Sequence, residues 1–214
     1  LSSAASDVYK RQTLYAAPNT YAMSAHAILE EVKADYKIEW IEIFTDKPNQ
    51  DFKTISPHCR TPALETPEGG IFETGAIAMY LGEKFSTYNL IVYPEDPRRG
   101  KFLQWFYYLG STLQPDVVIQ FHPEFYIKNK DNIRDFQDAS LKRLSNVLNI
   151  LDHALENGPF FFGEHLTILD FLLSMQTIWE EILPRKSTEY KNLRRHLEVM
   201  KERPAIQRIL KHHQ

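Results

Sequence analysis

Two periods of apolar residues divide the chain. Over residues 13–85 short apolar runs are interleaved with helical stretches, and from residue 98 onward only the helical period remains. Residues 13–16 read as a short strand. Pro18-Asn19-Thr20-Tyr21 is a turn with helix-start chemistry, and behind it Met23, Ala27, Ile28 and Leu29 share one side of a helix ending near Lys33. Residues 38–44 alternate, with Ile38, Trp40, Ile41 and Ile43 apolar, which predicts a second strand. Residues 49–55 form a short helix stopped at Ser56-Pro57. Residues 63–65 and 70–72 make a small hairpin, followed by a helix over 75–85. The order strand–helix–strand–helix–strand–strand–helix predicts an α/β domain.

Residues 86–97, rich in Tyr, Asn and Pro, predict a linker. After it the pattern is all-helical. Phe102, Trp105, Phe106 and Leu109 stand at helical spacing in 98–113, and Leu141, Leu144, Leu148, Leu151 and Leu155 recur every three or four residues until Gly158-Pro159 interrupts. Thr167 with Asp170 predicts a capping box, and Leu166 with Phe171 a hydrophobic staple, at the start of a helix expected to carry Trp179. Residues 190–200 and 205–210 complete the set, divided by Pro204. His212-His213 reads as a frayed tail.

Residues 1–12 fit neither period and contain no apolar signal-peptide core. Asp7-Val-Tyr-Lys-Arg-Gln12 back-translates to GAT GTG TAT AAG AGA CAG, a transposase-adaptor sequence used in library preparation. The stretch is expected to be a non-native leader, with the true start of the first strand missing; a natural disordered leader is the alternative.

At 214 residues and 43% hydrophobic content, the chain can bury a sizeable core in one or two domains. A formal charge of −3 and the lack of a basic run with interleaved aromatics argue against a nucleic-acid partner. The single cysteine, Cys59, excludes an intrachain disulfide and suits a reducing, cytoplasmic compartment. No run of about 18 apolar residues is present to cross a membrane. The histidines show no metal-ligand spacing, so no metal is expected.

The chemistry concentrates in residues 58–74. Pro62 has no N–H and cannot sit inside a sheet, but it can lead into an edge strand; spacing alone favours an ordinary trans bond at Thr61-Pro62. Downstream, Glu73-Thr74 closes one strand and opens a helix. A carboxylate, a hydroxyl and free N–H groups then gather at a positive helix end, where a ligand carboxylate is favoured.

The run RTPALETPEGGIFETGAIAMYL resembles the glutathione transferase family, in particular its bacterial-type cytosolic members. In that family a Val/Thr-Pro is followed by a Glu/Gln-Ser/Thr pair and an Ala-Ile-x-x-Tyr-Leu helix. The resemblance extends from about Thr13 to Lys211. It implies an α/β plus all-α architecture: a thioredoxin-like N-terminal domain (βαβαββα) over 13–85, a linker over 86–97 and an all-helical bundle over 98–214. It further implies a cis Pro62 with glutathione around it, and a homodimer. Main-chain groups of Thr61 would pair with the cysteinyl moiety, Glu73 would face the γ-glutamyl ammonium and Thr74 its carboxylate. His58 and Arg60 lie where the family often places glycyl-end contacts; without a ligand they are solvated loop residues.

Conjugation needs the thiolate, and an unperturbed thiol has a pKa of about 8.5. The family lowers it with a donor where the first strand meets the first helix. Its Ser or Cys is absent here, and the matching positions hold Asn19, Thr20 and Tyr21. The thiolate-stabilising role is assigned to that turn, although Thr20 also suits a helix N-cap, Asn19 the turn itself and Tyr21 simple packing. Tyr15 corresponds to the donor of the tyrosine-type members, but its place in the strand reads as a core aromatic. Trp105, Tyr108, Phe121 and Trp179 are expected to line an apolar pocket for a small hydrophobic electrophile, and their spacing equally suits a plain core.

Three functions follow. The first is transfer of an alkyl or aryl group to glutathione, as in detoxification. The second is disulfide or peroxide reduction, or isomerisation, at the same site. The third is a non-catalytic binding or regulatory role on the same scaffold.

Overall fold

The computed structural model describes residues 12–45, 47, 49–179 and 189–213. In chain order the elements are β1 (Gln12–Ala16), α1 (Ala22–Glu31), β2 (Tyr36–Trp40), α2 (Gln50–Ile55), β3 (Ala63–Thr66), β4 (Gly69–Phe72), α3 (Thr74–Lys84), α4 (Arg99–Tyr108), α5 (Gln114–Phe121), α6 (Ile133–Ala154), α7 (Ile168–Thr177), α8 (Lys191–Glu202) and α9 (Pro204–His212). They form two compact units. One runs to Tyr88 and resumes at Arg203; the other is Asn89–Glu202.

The first unit holds a four-stranded sheet in the order β2-β1-β3-β4. β1 pairs parallel to β2, with Leu14 opposite Ile38, and antiparallel to β3, with Leu14 opposite Leu64. β4 completes the hairpin. Gly70 belongs there for a steric reason: a Cβ would lie 2.7 Å from Cγ2 of Ile55, on α2. On one side Tyr15, Ile41, Phe52 and Ala63 form a cluster, joined by Ile43, Ile55 and Cys59. α1 is buried from Ala22 through Leu29, as a helix of small and apolar residues should be.

Three expectations change here. Gln12, assigned to the leader, is buried and pairs with Tyr36 as the first residue of β1; residues 1–11 lie outside the described residues. β2 ends at Trp40 and not at Phe44, because its partner runs out. The Ile41 N–H reaches the Ala16 carbonyl at 2.7 Å, after which β1 gives way to the Pro18 turn. His212-His213 is no frayed tail. His212 closes α9, and His213, 1% exposed, meets the buried His26 of α1 at 3.0 Å. Ion pairs of Arg203 with Glu31 and Arg208 with Glu30 also hold α9 to α1.

The second unit is helical, α4 to α8. The stretch expected as a linker contributes to it: Leu90, Ile91 and Val92 are buried, and the Leu90 carbonyl accepts from Ile168 N–H at 2.8 Å. The helix expected over 98–113 is interrupted by a π-helical turn, Leu109–Leu113, and continues as α5. Pro115 is the cause, since it cannot donate to the carbonyl four residues back. The capping box forms: the Asp170 carboxylate accepts from Thr167 N–H at 2.8 Å and from Phe161 N–H at 3.1 Å. Trp179 lies beyond the end of α7 and not on it. No helix among the described residues is long and apolar enough to cross a membrane.

Candidate functional site

The register of the sheet gathers the sequence-predicted residues at one end. β3 runs antiparallel to both β1 and β4, with Tyr15 opposite Ala63 and Ala63 opposite Phe72. One step further along each strand are therefore Ala16, Pro62 and Glu73. The turn after β1, the loop before β3 and the start of α3 thus meet at the same end of the sheet, and β3, into which Pro62 leads, is an interior strand and not an edge strand.

Glu73 is the N-cap of α3, with φ 76° and ψ 120°. That backbone region strains any residue but glycine, and such strain persists where surrounding structure enforces it, often at ligand sites. The carboxylate is exposed and caps nothing. Thr74 follows as the first, buried residue of the helix, with no acidic residue in the first turn to offset its positive end.

The Thr61-Pro62 peptide bond is cis. Among the described residues neither the N–H nor the C=O of Thr61 takes part in a hydrogen bond. The half-buried main chain beside the sheet thus presents one donor and one acceptor, the pair an added strand would use. A residue not anticipated from sequence shapes the preceding loop. Ser56, buried, donates its hydroxyl to the Arg60 carbonyl at 2.9 Å, accepts from Arg60 N–H at 3.2 Å, and receives Cys59 N–H on its own carbonyl at 2.8 Å. Its signal in the sequence was the Ser-Pro step that stops α2, where a hydroxyl readily closes a turn. His58 and Arg60 are carried on this loop, both exposed.

In the turn after β1, Asn19 takes a left-handed conformation, φ 53°, which asparagine tolerates. Thr20 sits below it with three contacts: its Oγ1 is 2.8 Å from the Ala17 carbonyl, 3.1 Å from Thr61 Oγ1 and 3.3 Å from Ala22 N. Tyr21 is half-buried, and its carbonyl receives Ser24 N–H and the Ser24 hydroxyl. Tyr15 stands apart from this group. It packs against Phe52, gives its hydroxyl proton to Glu65 at 3.3 Å, and is pushed up to about 12 by burial first and by Glu65 second.

The four aromatic residues assigned to an electrophile pocket lie in the second unit as two pairs. Trp105 and Tyr108 pack edge-to-face at 5.5 Å, and burial raises the Tyr108 phenol. Phe121 and Trp179 pack likewise at 5.5 Å. No group of three or more metal-ligating side chains occurs among the described residues.

A thioredoxin-like α/β unit joined to an all-helical unit is the architecture of glutathione transferases. Residues 11–83 match the family model "Glutathione S-transferase, N-terminal domain", and residues 116–213 match "Glutathione S-transferase, C-terminal domain". The chain belongs to the glutathione S-transferase family. It is 26% identical to glutathione S-transferase F14 of Arabidopsis thaliana, over 83% of this chain and 74% of that protein. It is 29% identical to the disulfide-bond oxidoreductase YfcG of Escherichia coli, over 73% of this chain and 74% of that one. A solved glutathione transferase homologue from Sulfitobacter, with bound glutathione, superposes with a TM-score of 0.84 at 21% identity, over 94% of this chain and 98% of that chain.

Proposed function

We propose that this protein binds glutathione at the end of the sheet, at Thr61-Pro62 and Glu73-Thr74, and that it activates the thiol for attack on small hydrophobic electrophiles. The observation that carries this reading is the strained Glu73 at the N-terminus of α3, together with a Thr61 main chain that makes no hydrogen bond among the described residues. An acid and a helix end suit an ammonium and a carboxylate on one carbon, which is the γ-glutamyl end of glutathione. The Thr61 N–H and C=O pair with the cysteinyl backbone, and His58 and Arg60 face the glycyl end.

The sulfur is then directed toward the Asn19-Thr20-Tyr21 turn and the start of α1, where donors and the helix end favour the anion. The thiol proton leaves to solvent. The thiolate forms a carbon–sulfur bond, and the leaving group departs with its electron pair. Trp105, Tyr108, Phe121 and Trp179 offer apolar surface for the second substrate. As in the family at large, the working form is expected to be a homodimer, which light scattering reads directly.

A second reading is supported by the similarity to the Escherichia coli oxidoreductase and by a turn without Ser or Cys. In it the same thiolate attacks a disulfide. One substrate thiolate leaves, a second glutathione resolves the mixed disulfide, and glutathione disulfide carries away the two electrons' worth of oxidation. Retention on immobilised glutathione, followed by parallel assays with a chloronitrobenzene electrophile and hydroxyethyl disulfide, separates the two. Turnover of the first alone supports the transferase, and of the second alone the reductase. Neither retention nor turnover removes both.

A further inference from the structure

Thr20 occupies the position at which the sulfur's hydroxyl donor would be sought, yet its one proton already has a destination. A threonine hydroxyl carries a single donor and two acceptor lone pairs. The shortest of its contacts is the Ala17 carbonyl at 2.8 Å, which can only accept. Its lone pairs then face Ala22 N–H at 3.3 Å and Thr61 Oγ1 at 3.1 Å. With the Thr20 proton on Ala17, Thr61 must be the donor across the 3.1 Å contact. The order Thr61 O–H to Thr20 O–H to Ala17 C=O is thereby set, and it crosses from the loop before β3 to the turn after β1.

We propose that Thr20 and Thr61 act as a coupled pair of positioning residues: their hydroxyls tie the sulfur-facing turn to the loop whose main chain holds the cysteinyl moiety, and Thr20 does not itself donate to the sulfur. The pair rests on the glutathione reading above for its functional consequence, but its geometry does not. Residue 61, whose main chain alone figured in the sequence-derived site, gains a side-chain role. The pair sets the distance between the turn that stabilises the anion and the strand edge that fixes the peptide. Losing either hydroxyl loosens glutathione binding without altering which groups touch the sulfur.

The test is a cycle of Thr20→Val, Thr61→Val and the double variant, with Thr20→Ser as the conservative control. Two quantities are read: the glutathione dissociation constant, and the pKa of the bound thiol from its thiolate absorbance. Each Val variant should weaken glutathione about fivefold, as loss of the one hydrogen bond that links the two segments does; the other Thr20 contacts lie within its own turn. The double variant should be no weaker than either single one, because both break the same link. The bound-thiol pKa should stay within about 0.3 of wild type throughout, and T20S should restore affinity. A merely structural threonine would lower thermal stability and leave affinity alone. A rise of about one pKa unit or more in T20V but not in T61V would make Thr20 the sulfur's donor and overturn the proposal, as would additive losses. Should the wild type fail to bind glutathione, the functional reading falls. The pair is then read from thermal unfolding of the same four proteins, where non-additive losses support the link and additive ones refute it.

Discussion

His26 Nδ1 meets His213 Nε2 at 3.0 Å, joining α1 to the end of α9 across 187 positions of sequence. The direction of that bond follows from its neighbours. Tyr36 gives its proton to the Glu30 carboxylate, so the His26 Nε2–H, 2.8 Å away, must donate to the Tyr36 oxygen. His26 Nδ1 is then the acceptor and His213 the donor. Both rings are neutral in this arrangement, and protonating His26 would set two N–H groups against each other.

Acid should therefore unfasten α9. Burial, with His213 as the next cause, lowers His26 to about 4, and burial with the neighbouring His212 lowers His213 to about 4. An unfolded histidine titrates near 6.5. Between those values the unfolded chain binds more protons, so stability is complete above about pH 6.5 and declines as pH falls toward 4. For one imidazole the effect is on the order of 3 kcal/mol. Urea unfolding at a series of pH values measures it. The decline should be shallower in His213→Phe, and an identical profile in that variant would contradict the assignment.

Glu73 separates stability from binding. Glycine relieves the strain at φ 76°, so Glu73→Gly should raise unfolding stability by about 1 kcal/mol. The same variant should weaken glutathione about tenfold or more, since a charge-assisted contact is lost. Calorimetric titration beside thermal unfolding checks both signs. A variant that binds as well as wild type would place the γ-glutamyl group elsewhere.

Tyr15 should be dispensable for chemistry. Its hydroxyl is engaged by Glu65 and its pKa is raised, which suits a core residue and not a thiolate donor. Tyr15→Phe should cost about 1 kcal/mol of stability. Its turnover should stay within about twofold of wild type, whereas a donor's loss would lower it about tenfold or more. Steady-state kinetics at saturating glutathione reads this.

The capping box at α7 should fail unequally. Asp170 is fully buried and accepts from Thr167 N–H, the Thr167 hydroxyl and Phe161 N–H. Asp170→Ala strands several buried donors and should cost about 3 kcal/mol or more. Thr167→Ala, losing chiefly a cap, should cost about 1 kcal/mol. Chemical denaturation of the two variants compares them.

What could be read from the sequence was local. The small hairpin over 63–72 and the Glu73-Thr74 helix start are statements about residues and their immediate neighbours, and so is the Thr167–Asp170 box; the cis bond at Pro62 is not, since spacing alone favours trans. The hidden features depend on distant partners. β2 stops at Trp40 because β1 has ended, which nothing within 36–44 records. The π-helical turn arises where Pro115 meets an otherwise regular helical pattern, so periodicity ran through it. His213 looked like a tail because its partner is His26, and Thr20 read as a thiolate donor or a helix N-cap because Thr61 lies 41 positions away.

Glutathione binding at this site is read most directly from the structure of crystals soaked with glutathione. The γ-glutamyl carboxylate should lie at the N-terminus of α3 with its ammonium against Glu73, the cysteinyl backbone should pair with Thr61 N–H and C=O, and the sulfur should face the Asn19-Thr20-Tyr21 turn. Glutathione bound away from Thr61 and Glu73, or no bound glutathione at saturating concentration, would contradict this placement.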